Sequence, residues 1–150
     1  MPDTVREPLI AALLRVPYQI VISHVVQELR PEFPDLRPAH LIVFQLLDHP
    51  PGGTRLTDLA ERAQMTPQSM GELIDSLESR GYVARLPDPA DRRAKLIQYT
   101  DRGWTLHERG AESVAAIQTL WAQYLGADRF DQLIELLREL YDRLQSDQRT

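Results

Sequence analysis

Three basic side chains stand close together in the middle of the chain, directly after a run of turn-forming residues. The run is Pro87-Asp88-Pro89-Ala90-Asp91, and the basic residues Arg92, Arg93 and Lys95 follow it. Its prolines and aspartates are typical of a tight turn. Guanidinium groups at such a tip can enter the narrow, electronegative minor groove of DNA. The plainer alternative is that Asp91 and Arg93 form only an ion pair that stabilises the turn.

A second set of polar side chains stands at the start of a predicted helix. Thr66-Pro67 has the pattern of a helix N-cap followed by proline in the first turn. Apolar residues at helical spacing then form a stripe that we expect to be buried: Met70, Leu73, Ile74 and Leu77. The polar residues outside that stripe are Thr66, Gln68, Ser69 and Glu72. The first turns of a helix can reach base edges in the major groove, so this face is a candidate for DNA recognition.

Each of these polar residues has its own expected role. Gln68 is the strongest candidate for base reading, because a carboxamide can pair bidentately with adenine. Thr66 and Ser69 suit contacts with phosphates or bases. Glu72 could accept a hydrogen bond from cytosine, or it could repel phosphates and so suppress nonspecific binding. An ordinary solvated helix face is the alternative interpretation of the whole set.

The elements around these residues predict a winged helix-turn-helix between residues 52 and 100. Thr57 is expected to cap a short helix, where the free backbone N–H groups suit phosphate anchoring. Gly81 stands where the next helix should end. The segments Tyr82–Leu86 and Lys95–Thr100 are rich in β-forming residues and predict a hairpin. The order helix, helix, hairpin predicts a mainly α fold with a small β-hairpin wing.

Helical patterns precede this lobe. Residues 4–30 predict a helix in which Pro17 either makes a kink or separates two helices. Pro38 suits the first turn of a further helix that runs to Asp48.

Helical patterns also follow the lobe. Thr100 is expected to cap a helix that runs towards Tyr124, and the segment from Asp128 onwards carries an apolar seam close to a heptad repeat. A short helix this apolar needs a partner surface, which helices of a second subunit could supply. Residues 1–30 and 101–150 therefore predict a dimerisation region.

The run from Thr57 to Gly103 resembles the DNA-binding lobe of the MarR (multiple antibiotic resistance regulator) family. The wing signature of that family has Asp-x-Arg, five further residues, Leu-Thr, two residues and Gly. Here it is Asp91-Arg92-Arg93, AKLIQ, Tyr99-Thr100, Asp101-Arg102 and Gly103. Tyr99 in place of leucine is the one departure, a conservative change for a buried strand end. The flanking helices also match the family layout, so the resemblance implies one MarR-like domain over residues 1–150.

The resemblance implies an obligate dimer whose terminal helices interlock, and it implies double-stranded DNA as the partner. It implies that Asp91 orients an arginine of the hairpin, either Arg93 or a neighbour such as Arg85. Many members respond to small aromatic or phenolic compounds in a pocket between the dimerisation helices and the DNA-binding lobe. The residues expected near that pocket are Tyr18, Ile22, His40 and Phe44, with ordinary core packing as their alternative role.

Composition excludes several other classes of protein. There are 17 Lys and Arg against 22 Asp and Glu, a net charge of −5, which argues against a nonspecific, histone-like DNA binder. Without cysteine, the chain has no disulfide, thiol nucleophile or thiol redox sensor. The four histidines lack metal-ligand spacing and no cofactor motif occurs, so we expect no metal, no cofactor and no enzyme. No secretory signal or long uninterrupted apolar run is visible, which predicts a cytoplasmic protein without a membrane partner.

Two functions remain in competition. We expect a dimeric, sequence-specific transcriptional regulator, a repressor of pseudo-palindromic operators that a small ligand releases. The alternative is a winged-helix protein-interaction module without specific DNA binding, which the acidic net charge and the acidic residues Glu72, Asp75 and Glu78 favour. Phosphate contacts make DNA binding salt-dependent, so the salt dependence of binding distinguishes the two.

Overall fold

The computed structural model describes residues 9–147, and this part of the chain is mostly helical with one small antiparallel sheet. The helices are α1 (Ile10–Leu29), α2 (Leu41–Leu46), α3 (Leu56–Arg62), α4 (Pro67–Ser79), α5 (Asp101–Leu125) and α6 (Ala127–Asp147). The strands are β1 (Thr54–Arg55), β2 (Val83–Asp88) and β3 (Asp91–Tyr99). A 3₁₀ turn, Pro38–His40, leads into α2. The predicted mainly α fold with a small wing is confirmed.

The chain divides into two compact units. The first ends at Ser113 and contains α1 to α4, the sheet and the first half of α5, whereas the second begins at Val114. The boundary thus lies inside α5, because this helix continues without a break beyond the end of the wing.

The apolar stripe of α4 lies in the core of the first unit, as its spacing predicts. Met70, Ile74 and Leu77 are fully buried and Leu73 is half-buried. The other fully buried apolar side chains include Val43, Leu59, Tyr82, Val83, Ile97 and Leu106. Because the apolar side of α4 is turned into this core, the opposite side of the helix faces solvent.

The sheet has three antiparallel strands in the order β1-β3-β2. The sequence analysis predicted only the hairpin of β2 and β3 and missed β1. A strand of two residues carries no periodic signal, and β1 exists because Thr54 and Arg55 pair with Ile97 and Leu96 on β3.

The hairpin also reaches further towards its tip than predicted. The strands end at Asp88 and resume at Asp91, so only Pro89 and Ala90 form the turn. A register irregularity between Pro87 and Asp88 accommodates the extension. Pro87 is tolerated because β2 is an edge strand, where a missing N–H need not interrupt the ladder.

The helix ends follow local capping rules, with one exception. The backbone N–H of Gly103 donates to Thr100 Oγ1 at 3.0 Å, which confirms Thr100 as a cap, and Gly81 has the positive φ of +74° that ends α4. The prediction that Thr57 caps α3 is wrong. That helix begins at Leu56, two residues earlier than a Thr57 cap implies, with Arg55 at the N-cap position and no side-chain cap. Thr57 Oγ1 lies 3.5 Å from Asp58 Oδ1.

The glycine of the wing signature permits a close approach between α5 and the start of β2. A Cβ atom on Gly103 would lie 1.8 Å from the carbonyl oxygen of Tyr82, far inside van der Waals contact. At the same junction, Thr100 Oγ1 donates to the carbonyl oxygen of Gly81 at 2.6 Å. The wing and α5 are therefore joined by a contact that admits no side chain at position 103.

Two predictions about prolines are resolved in the first unit. Pro17 lies inside one continuous helix, α1, so it does not separate two helices. The helix predicted from Pro38 to Asp48 is in fact the 3₁₀ turn followed by α2, which ends at Leu46. Thr54 Oγ1 accepts from the backbone N–H of Asp48 at 3.0 Å and donates to its carboxylate at 2.8 Å, which stabilises the loop after α2.

By length and composition alone, α1 is apolar enough to cross a membrane, a property that the sequence analysis did not anticipate. Core helices of soluble proteins and signal sequences can share this property. Most of its large apolar side chains are exposed in the single chain, including those of Leu13 (56%) and Ile20 (50%). The helix thus presents an apolar surface that the described part of one chain leaves open.

Candidate nucleic-acid interface

The start of α4 is shaped by a side-chain cap. Thr66 Oγ1 accepts from the backbone N–H of Ser69 at 3.1 Å and donates to Ser69 Oγ at 2.9 Å. Pro67 occupies the first helical position, where its missing N–H has no cost. This confirms the predicted cap. It also gives Thr66 a structural role that occupies the hydroxyl proposed for DNA contact.

The polar side of α4 is exposed, as the stripe requires. Gln68, Ser69 and Glu72 all face solvent. No ion pair or side-chain hydrogen bond holds Gln68 or Glu72 within residues 9–147. The first two turns of α4 therefore present unengaged polar groups, the arrangement that base reading in a major groove requires.

The acidic residues further along α4 are neutralised by an arginine of the wing. Arg85 Nη2 donates to Asp75 Oδ1 at 2.6 Å, and Arg85 Nη1 donates to Glu78 Oε2. The backbone N–H of Arg85 also donates to Glu78 Oε1 at 3.1 Å. The expectation that Asp91 orients Arg85 is wrong, because these two carboxylates hold it. The same bonds tie β2 to α4.

A buried carboxylate anchors the wing to β1. Asp88 is 6% exposed, and its Oδ2 accepts from Arg55 Nε at 2.9 Å and from Arg55 Nη2 at 2.5 Å. Its Oδ1 accepts from the backbone N–H of Ala90 at 2.8 Å. The hydrogen bonds from Arg55 are the largest cause that lowers the pKa of Asp88. Sequence reasoning missed this pair, since its members stand 33 positions apart and Asp88 looked like an ordinary turn residue.

Asp91 acts on the backbone of the hairpin. Its Oδ1 accepts from the backbone N–H of Arg93 at 3.0 Å, and its Oδ2 lies 3.9 Å from Arg55 Nη2. It makes no ion pair with the guanidinium of Arg93, so the expectation that Asp91 orients the Arg93 side chain is wrong. A short carboxylate satisfies an N–H two residues on more readily than it reaches the end of a long side chain.

The cations of the wing are unpaired. Arg92, Arg93 and Lys95 are exposed, and no carboxylate within residues 9–147 forms an ion pair with any of them. Other arginines of this unit are neutralised, for example Arg62 by Asp48 at 3.0 Å and Arg102 by Asp35 at 3.6 Å. The wing is thus a local cationic feature on an acidic chain.

Tyr99 stands where the family signature has leucine. The change is more than the conservative one expected, because the tyrosine hydroxyl makes a hydrogen bond that leucine could not make. Its hydroxyl donates to the carbonyl oxygen of Phe44 at 3.1 Å, and burial raises its pKa to about 12. Its ring lies among those of His49, Trp104 and His107, with Trp104 and His107 stacked at 5.0 Å between centroids. Burial is the main cause that lowers the pKa of His107.

The residues expected near an effector pocket differ in their surroundings. Tyr18 on α1 is half-exposed and Ile22 is half-buried. Phe44 is buried, with its ring 6.3 Å from that of Tyr82 in an edge-to-face arrangement. His40 is buried with both ring nitrogens in hydrogen bonds. Their predicted role in ligand binding stays a prediction.

Within residues 9–147, no group of three or more histidine, aspartate or glutamate side chains is arranged to hold a metal ion. His24 pairs with Glu28 at 3.1 Å, an i, i+4 contact on the surface of α1. Glu28 also accepts from Ser113 Oγ, so this cluster links α1 to α5.

Comparison with known proteins gives the family. The MarR family model matches residues 35–94, from the loop before α2 into the wing. The HTH-type transcriptional repressor MdtR of Bacillus subtilis (strain 168) is 23% identical over 137 residues, 87% of this chain and 88% of that protein.

Solved structures give the same result. The transcriptional repressor CouR bound to a 23-mer DNA duplex is 27% identical, with a TM-score of 0.69 over 89% of this chain and 92% of that one. CouR from Rhodococcus jostii RHA1 bound to p-coumaroyl-CoA is 28% identical, with a TM-score of 0.69 over 87% of this chain and 90% of that one. MarR from E. coli in its apo form shares the fold. It is 21% identical, with a TM-score of 0.71 over 90% of this chain and 98% of that one. With an exposed recognition helix, the wing signature and these relatives, the chain belongs to the MarR family of winged-helix, DNA-binding transcriptional regulators.

Proposed function

We propose that this regulator is a homodimeric repressor that reads a pseudo-palindromic operator with α4 and the wing. The observation that carries the proposal is the combination on one lobe of an unengaged polar face on α4 and three unpaired cations on β3. Base edges need hydrogen-bonding groups, and phosphates and the minor groove need positive charge. A lobe with both has the two components of a sequence-specific interface.

On α4, Gln68 reads an adenine through its carboxamide and Ser69 contacts a neighbouring base or phosphate. Thr66 positions Ser69 through its cap and contacts DNA only at the helix start. Thr57, exposed in the first turn of α3, suits a phosphate contact. Glu72 either accepts from cytosine N4 or repels phosphates and so lowers nonspecific affinity.

On the wing, Arg92 and Arg93 enter the minor groove and Lys95 contacts a phosphate. Guanidinium groups suit a narrow minor groove because they are planar and more weakly hydrated than an ammonium group. Asp91 supports this function by capping the backbone of Arg93 at 3.0 Å. Asp88 and Arg55 support it by holding the hairpin against β1.

The dimer would form through the terminal helices. On α1, the large apolar side chains from Ile10 to Ile20 are exposed. On α6, those from Leu136 to Leu144 are exposed, with Leu136 at 58% and Leu144 at 54%. Apolar surface of this extent is unfavourable in water and favours association. Two lobes related by a two-fold axis would contact half-sites roughly 10–11 bp apart.

Release by a small ligand completes the proposal. CouR, a relative of this chain, has been solved with p-coumaroyl-CoA. We propose for this chain only the class of ligand, a small aromatic molecule, and we place its accessible contacts at Tyr18 and Ile22 on α1. Such a ligand acts by binding better to a dimer whose lobes do not match the operator spacing. A regulator of this kind acts in the cytoplasm, where the DNA is.

A protein-interaction module remains the second candidate because the exposed charge on α4 is acidic. Arg85 weakens this alternative, since it neutralises Asp75 and Glu78 and leaves Glu72 as the unpaired carboxylate of that face. The interaction module predicts no salt-dependent binding to DNA, whereas a DNA-binding regulator loses affinity steeply as salt is raised.

The test is selection of duplexes from a random pool, followed by fluorescence anisotropy at several salt concentrations. The proposal predicts an enriched pseudo-palindrome, bound by a folded dimer, with an affinity that falls steeply with salt. A folded dimer that enriches no sequence and binds weakly at low salt would contradict it and favour the interaction module.

A further inference from the structure

His40 is a buried imidazole with hydrogen bonds to two different elements. It ends the 3₁₀ turn Pro38–His40 between α1 and α2 and is 1% exposed. Its Nδ1 accepts from the backbone N–H of Arg37 at 3.2 Å, and its Nε2 lies 3.0 Å from Ser76 Oγ. A ring nitrogen that accepts an N–H carries no proton, so the neutral ring is protonated at Nε2 and donates to Ser76.

The partner of His40 lies on the recognition helix. Ser76 is in α4, two helical turns beyond Ser69. Ser76 Oγ also accepts from Arg80 Nη1 at 2.7 Å, and the same Nη1 donates to the Ser76 carbonyl oxygen at 2.9 Å. The bond from His40 therefore joins the linker after α1 to a fixed point on the helix that carries Gln68.

Charged groups around His40 favour its neutral form. Burial is the largest cause that lowers the pKa of His40, and the positive charges of Arg80 and Arg37 lower it further. Asp35 in the same linker opposes them. Asp35 is itself held by the hydroxyl of Tyr82 at 2.5 Å. Arg37 and Asp35 therefore act on His40 from the linker, and Arg80 acts on it from the end of α4.

A proton on His40 would break the arrangement at one defined atom. The imidazolium carries an N–H at both nitrogens, so its Nδ1–H would face the N–H of Arg37, and one of the two donors would lose its acceptor. In a buried site this leaves an unsatisfied donor and adds a positive charge beside Arg80. The turn and the recognition helix could then no longer be held by the same side chain.

We propose that neutral His40 is a positioning residue for operator recognition, which holds α4 through Ser76 at the angle where Gln68 and Ser69 meet base edges, and that protonation of His40 releases the helix. This inference rests on the proposed function, since it assigns α4 to base reading. It makes operator binding sensitive to acid. It leaves the phosphate and minor-groove contacts of the wing unchanged, because those cations lie on β3 and take no part in the His40 contacts.

Two substitutions separate the two hydrogen bonds of His40. His40→Gln places an amide N–H where Nε2 stands and keeps the donor to Ser76, whereas His40→Asn places an oxygen where Nδ1 stands and loses that donor. Ser76→Ala removes the acceptor from the other side. Ser79→Ala is the matched control, because this exposed serine on the same helix bonds only to the Ser76 carbonyl oxygen and to Arg80.

The assay is fluorescence anisotropy on the enriched operator and on a scrambled duplex, from pH 8 down to about pH 4.5, because the lowered pKa of His40 places its titration below that of an ordinary histidine, about 6.5. We expect His40→Asn and Ser76→Ala to weaken operator binding by roughly three- to tenfold, the effect of one lost hydrogen bond. Binding to the scrambled duplex should not change. The double variant His40→Asn, Ser76→Ala should lose no more operator affinity than whichever single variant binds more weakly, because both substitutions remove the same hydrogen bond. His40→Gln should retain operator affinity. Wild type and Ser79→Ala should lose operator preference towards acid pH, and both His40 variants should show a flatter pH profile.

Hydrogen exchange of the α4 amides in the DNA-free protein separates this inference from the proposed function. Lower protection factors of the α4 amides, with the intrinsic pH dependence of exchange divided out, in His40→Asn and in acid wild type, without operator preference in the wild type, would keep the His40 contact and reject base reading by α4. Unchanged protection factors would overturn the inference. An operator preference in His40→Asn equal to that of wild type at every pH would also overturn it. The same holds if affinity for both duplexes falls equally, in proportion to the unfolded fraction measured by circular dichroism.

Discussion

Removal of a single wing arginine should change the salt dependence of DNA binding by a predictable amount. Arg92 is exposed and has no ion-pair partner within residues 9–147, so Arg92→Ala breaks no internal contact. A cation in the minor groove releases condensed counterions as one at a phosphate does, and each phosphate charge neutralised contributes about 0.9 to the slope of log K against log salt concentration. A dimer carries two copies of Arg92, so the slope should decrease by about 1.8.

The affinity of the same variant should fall as well. Hydrogen bonds to charged groups are each worth about 1.5–3 kcal/mol, so each lost arginine contact raises Kd by roughly ten- to a hundredfold. The control is Arg30→Ala, which removes an equal charge from an exposed position at the end of α1. It should change neither the slope nor the specificity.

Arg93→Lys separates charge from shape at the wing. This variant keeps the positive charge and loses the planar guanidinium, so the salt slope should persist while the preference for A/T-rich flanks declines. The assay for these three variants, and for Arg93→Ala, is fluorescence anisotropy at four or more salt concentrations. Salt slopes equal to that of wild type in Arg92→Ala and in Arg93→Ala would refute the assignment of the wing to DNA.

Five further variants test other parts of the account. Gly103→Ala should destabilise the fold by about 1–3 kcal/mol, because its Cβ would lie 1.8 Å from a backbone oxygen, whereas Gly110→Ala in the same helix meets nothing within 4 Å and should stabilise it by about 0.5–1 kcal/mol. Urea unfolding measures both, and equal effects would contradict the close approach. Glu72→Gln should raise affinity for scrambled duplexes if Glu72 repels phosphate, or reduce selectivity at one base pair if it reads cytosine. A variant that behaves like wild type in both assays would show that Glu72 has no role in DNA binding. Leu140→Asp should lower the mass seen by light scattering from dimer to monomer, and a monomeric wild type would contradict the dimer. His107 has a lowered pKa in the fold, so the free energy of unfolding should fall as pH drops below about 6.5, where the unfolded chain binds the proton first, and His107→Gln should reduce that dependence.

The elements that sequence reasoning predicted well are those with local causes. The Thr66 cap needs only a hydroxyl three residues before its donor, and the buried stripe from Met70 to Leu77 needs only helical periodicity. Thr100 caps α5 for the same local reason. Such features depend on residues within about two helical turns of one another, so the local sequence is sufficient to predict them.

Features that depend on distant residues were missed or assigned wrongly. The strand β1 exists only through its pairing with β3, and Asp88 is anchored by Arg55 across 33 positions. Arg85 was assigned to Asp91 by resemblance, yet Asp75 and Glu78 lie closer because β2 runs beside α4. No periodicity or motif encodes these contacts, since tertiary packing decides which of several carboxylates an arginine meets.

The acidic net charge of −5 does not conflict with DNA binding. Six of the eleven arginines described in the first unit pair with carboxylates, for example Arg62 and Arg102, so their positive charge is largely neutralised within the fold. The unpaired cations of the wing lie together on β3. Local placement of charge, rather than its sum, determines where an anionic partner can approach.

The central claim is that α4 occupies the major groove of DNA while the wing occupies the adjacent minor groove. Dimethyl sulfate interference on the enriched operator tests it directly, because methylation at guanine N7 blocks the major groove and methylation at adenine N3 blocks the minor groove. We predict two guanine N7 patches roughly 10–11 bp apart, each with adenine N3 interference on its flank that disappears in the Arg92→Ala, Arg93→Ala double variant. Interference confined to one groove, or adenine N3 interference that persists in that variant, would contradict the account.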